Sequence, residues 1–557
     1  MPETSNAETL LRLLAVSGIR HLFGNAGTDA APLIEAYARM RAAGDALFPE
    51  PVVVPHEMAA VSIAHGRAMV AGEPSAVFVH TTVGTANAAT GIMNAFRQRV
   101  PMLVLAGRTP VLEHGPPGAR DLYIHWAQES YDQAAPVREY VKWDYELRDP
   151  RQLPAVVARA LALATTSPMG PVYLALPREV LAAPSAAGLD PPPPLAPPVA
   201  VPDPAAVAEA ADLIAAAEHP VAVANAAGRD PGAVAALVRL AEAAGMGVVE
   251  FFRERMNFPA DHPHHLGFWP QEALEAADLV VVVESDVPWL PQRFGPPPAA
   301  RVVHIGEDPL FATYPMRTFR ADVTLAGSPR HSLAALAAAV ADRAEPSPAR
   351  GDELARLHRA ARAAAAARAG TGERPVAMAR LSRLVAQAAG PEAIYVNEYD
   401  LHSDQLDLTR PGSYFGAPSV SGLGWGLGAA LGAAFAAPDR QVVCAVGDGA
   451  FVFANPVACL MTAARLRLGV LVVVFDNGRW EAVRQSVRDL APAGWAQRGD
   501  DYPLTSLEPS PDYGEVARAC GAHGERVEDP ADIPAALQRA LAVTGEGRPA
   551  VVDVVCA

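Results

Sequence analysis

The sequence predicts an α/β protein built from three doubly wound domains, each with a parallel sheet covered by helices on both faces. Three observations lead there. At 557 residues the chain exceeds what one hydrophobic core can hold. Short β-branched runs without polar alternation recur along its length, separated by helical stretches, as expected of strands buried on both sides. Two proline-bearing breaks, at residues 183–204 and 342–353, interrupt that alternation.

The elements follow in order. The N-terminal "MPETSNAETLLRLLAVSGIRHLF" reads as an amphipathic helix opened by a capping box from Ser5 to Glu8, and not as a cleaved leader. A first block, 1–182, carries the strands "PVVV" (51–54), "AVFVH" (76–80), "MLVLA" (102–106) and "PVYLAL" (171–176). "APSAAGLDPPPPLAPPVAVPDP" is then a semi-rigid linker. The middle block, 200–342, offers "PVAVA" (220–224), "LVVVV" (279–283) and "RVVHI" (301–305). After "DRAEPSPARGDE", an Ala/Arg-rich helix and "GTGERP", the last block, 370–557, contains "AIYVN" (393–397), "QVVCAV" (441–446), "VLVVVF" (470–475) and "AVVDVV" (550–555).

Composition narrows the function. The chain is 51% apolar and 19% charged, so it can bury large cores. A formal charge of −16 argues against a nucleic-acid partner. The uncharged run at 419–438 is glycine-rich and too weakly apolar for a membrane span. Cys444, Cys459, Cys520 and Cys556 lack metal-ligand spacing and read as buried thiols in a reducing compartment, which makes a soluble cytoplasmic protein the expectation.

The most informative stretch is 445–480, "AVGDGAFVFANPVACLMTAARLRLGVLVVVFDNGRW". Asp448 lies between two glycines just beyond one strand, and Asp476-Asn477 ends the next, in the crevice where open α/β sheets bind ligands. Gly447 and Gly449 allow a tight turn and close backbone approach. A helix predicted from near Asn455 offers free N–H groups to phosphate oxygens. Asp448 and Asn477 are hard oxygen donors suited to Mg²⁺. The sum is a diphosphate held through a metal; the alternative for "GDG" alone is an ordinary turn.

"GDG", 26 residues and "DN" resemble the thiamine-diphosphate fold motif. The resemblance extends across nearly the whole chain, including "GPVYLALPREV" and "PDYGEVARACGAHGERVED". It implies a pyrimidine-binding, a middle Rossmann-like and a diphosphate-binding domain, and Mg²⁺ held by Asp448, Asn477 and the backbone carbonyl of Arg479. Asp476 replaces the family's first Asn, and the segment before "LMTAAR" is about two residues longer than usual. "VVVPHEMAAVSIAHGRAM" is similar to the segment carrying the family's activating glutamate, which assigns that role to Glu57. "SVSGLGWGLGAALGAAF" matches its Gly-Leu-Gly stretch, making Leu423 the wedge that bends the cofactor, with its N–H and the Ser421 carbonyl facing the pyrimidine. Ala26, Asp400, Gly449 and Ala450 fall at further cofactor contacts.

The implied activity is decarboxylation of a 2-oxo acid, carboligation, or both, through an enamine. "LFGNAGTDAAP" and "FVHTTVGTANAATGIMNA" look like benzoylformate decarboxylase segments, placing Thr28 and His80 in the substrate pocket. "WAQESYDQAAPVREYVKW" is similar to the Phe-Gln-Glu segment of acetohydroxyacid synthase, with Gln128 reaching toward substrate and Lys142 at a related spacing. The alternatives are a helix-capping threonine for Thr28 and a backbone-bonded histidine for His80. His262, His264 and His265 read as solvated or packing histidines, and Asp476 as either orienting the metal loop or exposed. "LGFWPQEA" (266–273) and "ESDVPWLPQ" (284–292) replace the glycines expected around a flavin, so FAD is expected to be absent. Acetolactate synthase-like condensation and an inactive binding paralogue are the alternative functions. The resemblance further implies a homodimer at minimum, and a homotetramer, with a site shared between chains and a small 2-oxo acid or ketone as substrate.

Overall fold

In the computed structural model, which describes residues 4–185, 195–343, 345, 347–370 and 373–557, the strands form three separate sheets. Residues 186–194 of the proline-rich linker, 344 and 346 of the second break, and 371–372 of "GTGERP" lie outside the described residues.

The first sheet contains β1 (His21–Gly24), β2 (Glu50–Val53), β3 (Ser75–Val79), β4 (Met102–Arg108), β5 (Asp144–Glu146) and β6 (Pro171–Pro177), ordered β2-β1-β3-β4-β6-β5. The second contains β7 (Pro220–Ala224), β8 (Gly247–Glu250), β9 (Leu279–Val283), β10 (Arg301–Gly306) and β11 (Val323–Ala326), ordered β11-β10-β9-β7-β8. The third contains β12 (Ile394–Glu398), β13 (Tyr414–Gly416), β14 (Val442–Gly447), β15 (Val470–Asp476), β16 (His523–Val527) and β17 (Ala550–Val555), ordered β13-β12-β14-β15-β17-β16. Their ladders run parallel. The central strands, such as β9 and β15, are buried at every position, as expected of a sheet covered on both faces.

The apolar runs read from the sequence agree with the observed strands to within a residue or so. The strands not read from sequence are β1, β5, β8, β11, β13 and β16. Most are edge strands of three to five residues, too short to build a periodic signal. The N-terminal helix Asn6–Val16 is capped as expected, with Ser5 Oγ accepting from the Glu8 N–H at 3.3 Å. The Glu8 carboxylate completes no reciprocal bond and pairs instead with Arg39 at 3.0 Å. Cys444, Cys459 and Cys556 are buried free thiols; Cys520 is half-buried, a correction to the expectation that all four are enclosed. Among the described residues no helix is long and apolar enough to cross a membrane.

One hydrophobic core runs through both the first and third sheets, from Phe23 and Val104 to Ile394 and Val472. Two helices join them, Glu57–Ala71 and Trp425–Ala436, and they cross with their backbones in contact. A Cβ on Gly66 would fall 1.9 Å from the Ala429 carbonyl oxygen, and one on Gly432 2.0 Å from that of Ile63. Only glycine fits at such a crossing, because neither backbone can yield without shifting its helix.

Gly66→Ala should therefore lower the unfolding free energy by at least the ~1–3 kcal/mol of an overpacked core. Gly351, in the helix Pro348–Arg368 with nothing within 4 Å of an added Cβ, provides the control. Gly351→Ala should be neutral or stabilising by up to ~1 kcal/mol. Equal denaturation midpoints for wild type and Gly66→Ala would contradict the crossing.

Candidate functional site

The carboxyl ends of β14 and β15 bring the "GDG" and "DN" segments together. β14 ends at Gly447, and a short helix, Asp448–Phe453, begins on the next residue. The helix expected to begin near Asn455 is present as a second one, Pro456–Leu466, which Asn455 caps in left-handed conformation at φ 52°. An asparagine tolerates that region, and the proline after it disfavours helical geometry there, so the two helices cannot merge. Asp448 is buried; its Oδ1 accepts from the Gly449 N–H and its Oδ2 from the Gly478 N–H, each at 2.8 Å. That second bond ties the end of β14 to the loop after β15.

The glycines beside Asp448 are required by their neighbours and not by the tight turn expected of them. Gly447 has ordinary extended geometry, φ −69° and ψ 160°. Its missing side chain makes room for Asp400, whose Oδ2 would lie 2.5 Å from a Cβ there. A Cβ on Gly449 would sit 2.1 Å from the Trp480 ring. Neighbouring side chains, not backbone twist, demand both glycines.

Asp476 is buried, which overturns the exposed alternative. Its Oδ1 accepts from the Gly478 N–H at 3.1 Å and its Oδ2 from Arg526 Nη1 at 2.9 Å. The same Arg526 nitrogen donates to Asp553 Oδ2 on β17 at 2.6 Å. Asn477 Oδ1 accepts from the Arg479 N–H at 3.1 Å, and the Arg479 carbonyl from the Glu481 N–H at 3.0 Å. Each of these oxygens keeps a second lone pair. Asp448, Asn477 and the Arg479 carbonyl thus form a hard-oxygen donor set that fits a small divalent cation. Burial, with Asp476 alongside, pushes Asp448 up to about 6. Burial together with Asp448 and Glu398 pushes Asp400 up to about 7. Carboxylates crowded in this way are relieved by a cation among them.

Glu398, at the end of β12, caps the helix Trp425–Ala436 by accepting from the N–H groups of Gly424 (2.8 Å), Trp425 (3.3 Å) and Gly426 (2.7 Å). Just before it, Ser421 is held at φ 57° and Gly424 at 89°. Asn94 clasps this turn, donating to the Gly422 carbonyl at 2.8 Å and accepting from its N–H at 3.2 Å. Leu423, half-buried, projects from the clasped turn. Among the described residues its N–H and the Ser421 carbonyl have no protein partner, so both remain open to a ligand.

A second constellation lies at the carboxyl end of the first sheet. Glu57 opens the helix Glu57–Ala71, is buried, and accepts from Asn87 Nδ2 at 3.1 Å. An added Cβ on Gly84 would lie 3.1 Å from Glu57 Oε1 and 3.3 Å from the His80 Cβ, and the Glu57 charge acts on the His80 ring, so the two residues are neighbours. His80 follows β3 as the N-cap of the helix Thr81–Arg97, and its side chain makes no capping bond. Its Nδ1 bonds Asp29 Oδ1, and its Nε2 lies 3.1 Å from Gln128 Nε2. The Asp29 hydrogen bond raises the His80 pKa, against the lowering by burial. Thr82 Oγ1 donates to the Gln128 carbonyl at 3.0 Å and steadies that loop. Thr28 Oγ1 is buried with no partner; Gly27, not Thr28, caps the short turn, so the capping alternative fails. Ala26 lies exposed beside it.

Asp29 joins this group although sequence reading does not single it out. A single aspartate in a turn carries no period or spacing, and only the fold reveals that it faces a residue 51 positions away. Lys142, by contrast, lies outside this group, donating to the Leu163 carbonyl at 2.6 Å. His265 packs as expected, its Nε2 3.1 Å from Glu250, while the His262 and His264 rings meet edge to face at 5.0 Å. Among the described residues no three His, Cys, Asp or Glu side chains there could hold a metal.

The chain matches three family descriptions in order: "Thiamine pyrophosphate enzyme, N-terminal TPP binding domain" over residues 4–135, its central domain over 207–336, and its "C-terminal TPP binding domain" over 399–554. It is 28% identical to a benzoylformate decarboxylase of Pseudomonas aeruginosa, covering 97% of both chains. It is 25% identical to the acetolactate synthase isozyme 3 large subunit of Escherichia coli, covering 100% of this chain and 95% of that one. The solved structure of a thiamine diphosphate-dependent 4-hydroxybenzoylformate decarboxylase of Rhodococcus jostii RHA1 superposes with a TM-score of 0.79 at 25% identity, covering 99% of each chain.

The raised acids give a testable pH dependence. Asp448 and Asp400 bind protons more tightly when folded than their ordinary value of about 4. Their protonated forms therefore contribute stability present below about pH 4 and lost as pH rises through about 6 and 7. In chelator, the melting temperature should fall over that range, and Asp400→Asn should flatten the fall. Adding Mg²⁺ with thiamine diphosphate near neutrality should restore stability, by ~2.7 kcal/mol at a hundredfold excess over Kd. Asp448→Asn should abolish that gain. Parallel pH slopes for wild type and Asp400→Asn would refute the electrostatic account.

Proposed function

The chain belongs to the thiamine pyrophosphate enzymes, and from that premise we propose a thiamine-diphosphate- and Mg²⁺-dependent lyase or carboligase acting beside the carbonyl of a 2-oxo acid. The observation that carries the reading is the pocket in which Glu57, a buried carboxylate, adjoins His80 and Gln128. Bound thiamine diphosphate supplies an electron sink that lets a carbonyl carbon part with its carboxylate or join a second carbonyl.

This chain's residues then divide the work. Asp448, Asn477 and the Arg479 carbonyl would hold Mg²⁺, while Gly449, Ala450 and Asp400 would line the diphosphate. Leu423 and the Ser421 carbonyl would position the pyrimidine, with Ala26 beside it. Glu57 would hold a proton at that ring. His80, Thr28 and Gln128 serve the substrate's oxygens, His80 holding and moving a proton at Nε2. Orientation of this kind contributes up to ~7–11 kcal/mol to a barrier.

Among the described residues, no hydrogen bond or ion pair joins the Glu57 pocket to the Asp448 loop within one chain. This supports a site completed by a second chain, a homodimer at minimum and a homotetramer in the fuller reading. Val452, Phe453, Val457 and Met461, all about half exposed beside the Asp448 helix, suit such an interface. Free cysteines fit a cytoplasmic setting. The second reading, acetolactate synthase-like condensation of two 2-oxo acids, draws on Gln128 and on the Escherichia coli relative.

No flavin is proposed. The carboxyl ends of the central sheet, where a nucleotide would lie, are filled by Glu284. It accepts from Arg99 (2.9 Å), Arg229 (2.6 Å) and the Glu307 N–H (2.6 Å). An added Cβ on Gly306 would lie 2.8 Å from its Oε1.

Incubation with pyruvate or benzoylformate, thiamine diphosphate and Mg²⁺ should release CO₂, with aldehyde or 2-hydroxy ketone as the organic product. Glu57→Gln should reduce turnover by about 10²–10⁴-fold, the range of a lost proton-transfer group. Unchanged turnover would refute the assignment. The purified protein should be colourless, and flavin absorbance would overturn the proposed absence of FAD.

A further inference from the structure

His80 does not stand alone in its pocket. Asp29 is buried and bonds Nδ1 of the imidazole through Oδ1, while its Oδ2 has no partner. Two glycines make this contact sterically possible. A Cβ on Gly107 would fall 1.5 Å from Asp29 Oδ2, and one on Gly27 2.0 Å from His80 Nδ1. On the other side of the ring, Gln128 Nε2 lies 3.1 Å from His80 Nε2, and Gln128 Oε1 is buried with no donor. The next residue, Thr81, has φ 39°, an outlier for a β-branched residue that places the turn carrying His80 under strain.

We propose that Asp29, His80 and Gln128 form a proton-coupled relay in which Asp29 fixes a proton on Nδ1 and the charge of the imidazole sets which end of the Gln128 amide faces the substrate. The proposal rests on the function proposed above and adds the means of handling the substrate's oxygens. With Nδ1–H committed to Asp29, a neutral His80 presents Nε2 as an acceptor. Gln128 then donates its amide N–H to it, leaving Oε1 unsatisfied.

A charged His80 carries a second proton, on Nε2, and needs an acceptor there. The amide turns over, Oε1 accepts, and the NH₂ group becomes a donor toward a carboxylate or carbonyl oxygen. Binding an anionic substrate is thereby coupled to proton uptake at His80. When His80 passes its Nε2 proton to the substrate's carbonyl oxygen, one N–H bond breaks and one O–H bond forms. Asp29 stays ionised, and the imidazole regains its proton from water. Asp29 is the positioning residue in this scheme.

The charged and titratable groups around the relay come from four segments. Asp29 lies on the 27–30 turn and Glu57 on the helix Glu57–Ala71, and both favour the charged imidazole. His125, on the short helix Ile124–Ala127 that precedes Gln128, feels the Asp29 charge. Arg108, at the end of β4, and Arg120, on the stretch leading to that helix, pair with Glu146 and Glu129.

Two variants test the relay in opposite directions. Asp29→Asn keeps the shape and removes the charge, so the pH at which His80 loses its proton should fall by about one unit or more. Gln128→Glu places a carboxylate at Nε2 and should raise it. The readout is the pH dependence of His80 carbethoxylation by diethylpyrocarbonate, which attacks the neutral imidazole, followed by peptide mass spectrometry on the full-length protein. The alkaline limb of kcat/KM should move with it in both variants. Opposite shifts support the relay; overlapping titrations for wild type and a folded variant overturn it. Should Asp29→Asn fail to fold, Gln128→Glu decides alone. Failure of the wild type to turn over any 2-oxo acid would sink the proposed function and leave the His80 titration to judge the relay separately.

Discussion

Everything distinctive about this molecule hangs on one contact: two helices whose backbones touch. The helix Glu57–Ala71 and the helix Trp425–Ala436 meet through Gly66 and Gly432, with no side chain between them at those two points. The first begins at Glu57, and the second begins just after Leu423. Because interiors are packed like crystals, a crossing without adjustable side chains transmits position rigidly. The crossing therefore fixes where the first sheet presents its carboxylate relative to where the third presents its turn. The Asn94 clasp on Gly422 repeats this coupling on a smaller scale.

The cofactor side of the site was largely legible in the sequence, because each element leaves a local trace. Glycines around Asp448, a polar pair after β15, and a glutamate opening a helix after β2 are all short-range patterns. The reasons behind them were less legible. Gly447 and Gly449 looked like turn formers, yet Asp400 and Trp480 are what exclude a side chain there. The helix Asp448–Phe453 was missed because six residues cannot show a helical period. Asp29 could not be found, since its meaning depends wholly on His80 arriving from another strand. Edge strands such as β5 and β13 escaped for a related reason: their pairing partners, not their composition, make them strands.

The central sheet carries a different kind of information. Glu284 draws in Arg99 from the first domain and Arg229 from its own, so the carboxyl end of β9 serves as a joint between domains. A buried charge network of this sort is costly to break, at about 3–5 kcal/mol per lost partner. It holds the two domains in register.

Arg526 deserves a last thought for what it implies about the order of assembly. It is the counter-ion of Asp476 in the metal loop, and it shares that duty with Asp553 on β17. During synthesis the Asp476 carboxylate is made some fifty residues before that arginine, and Asp553 later still. Until Arg526 is present, the loop that carries Asn477 and Arg479 has an uncompensated charge at its root. That loop is therefore among the last parts of the protein to mature, and a nascent chain halted short of β16 cannot complete it, however well its first two domains have folded.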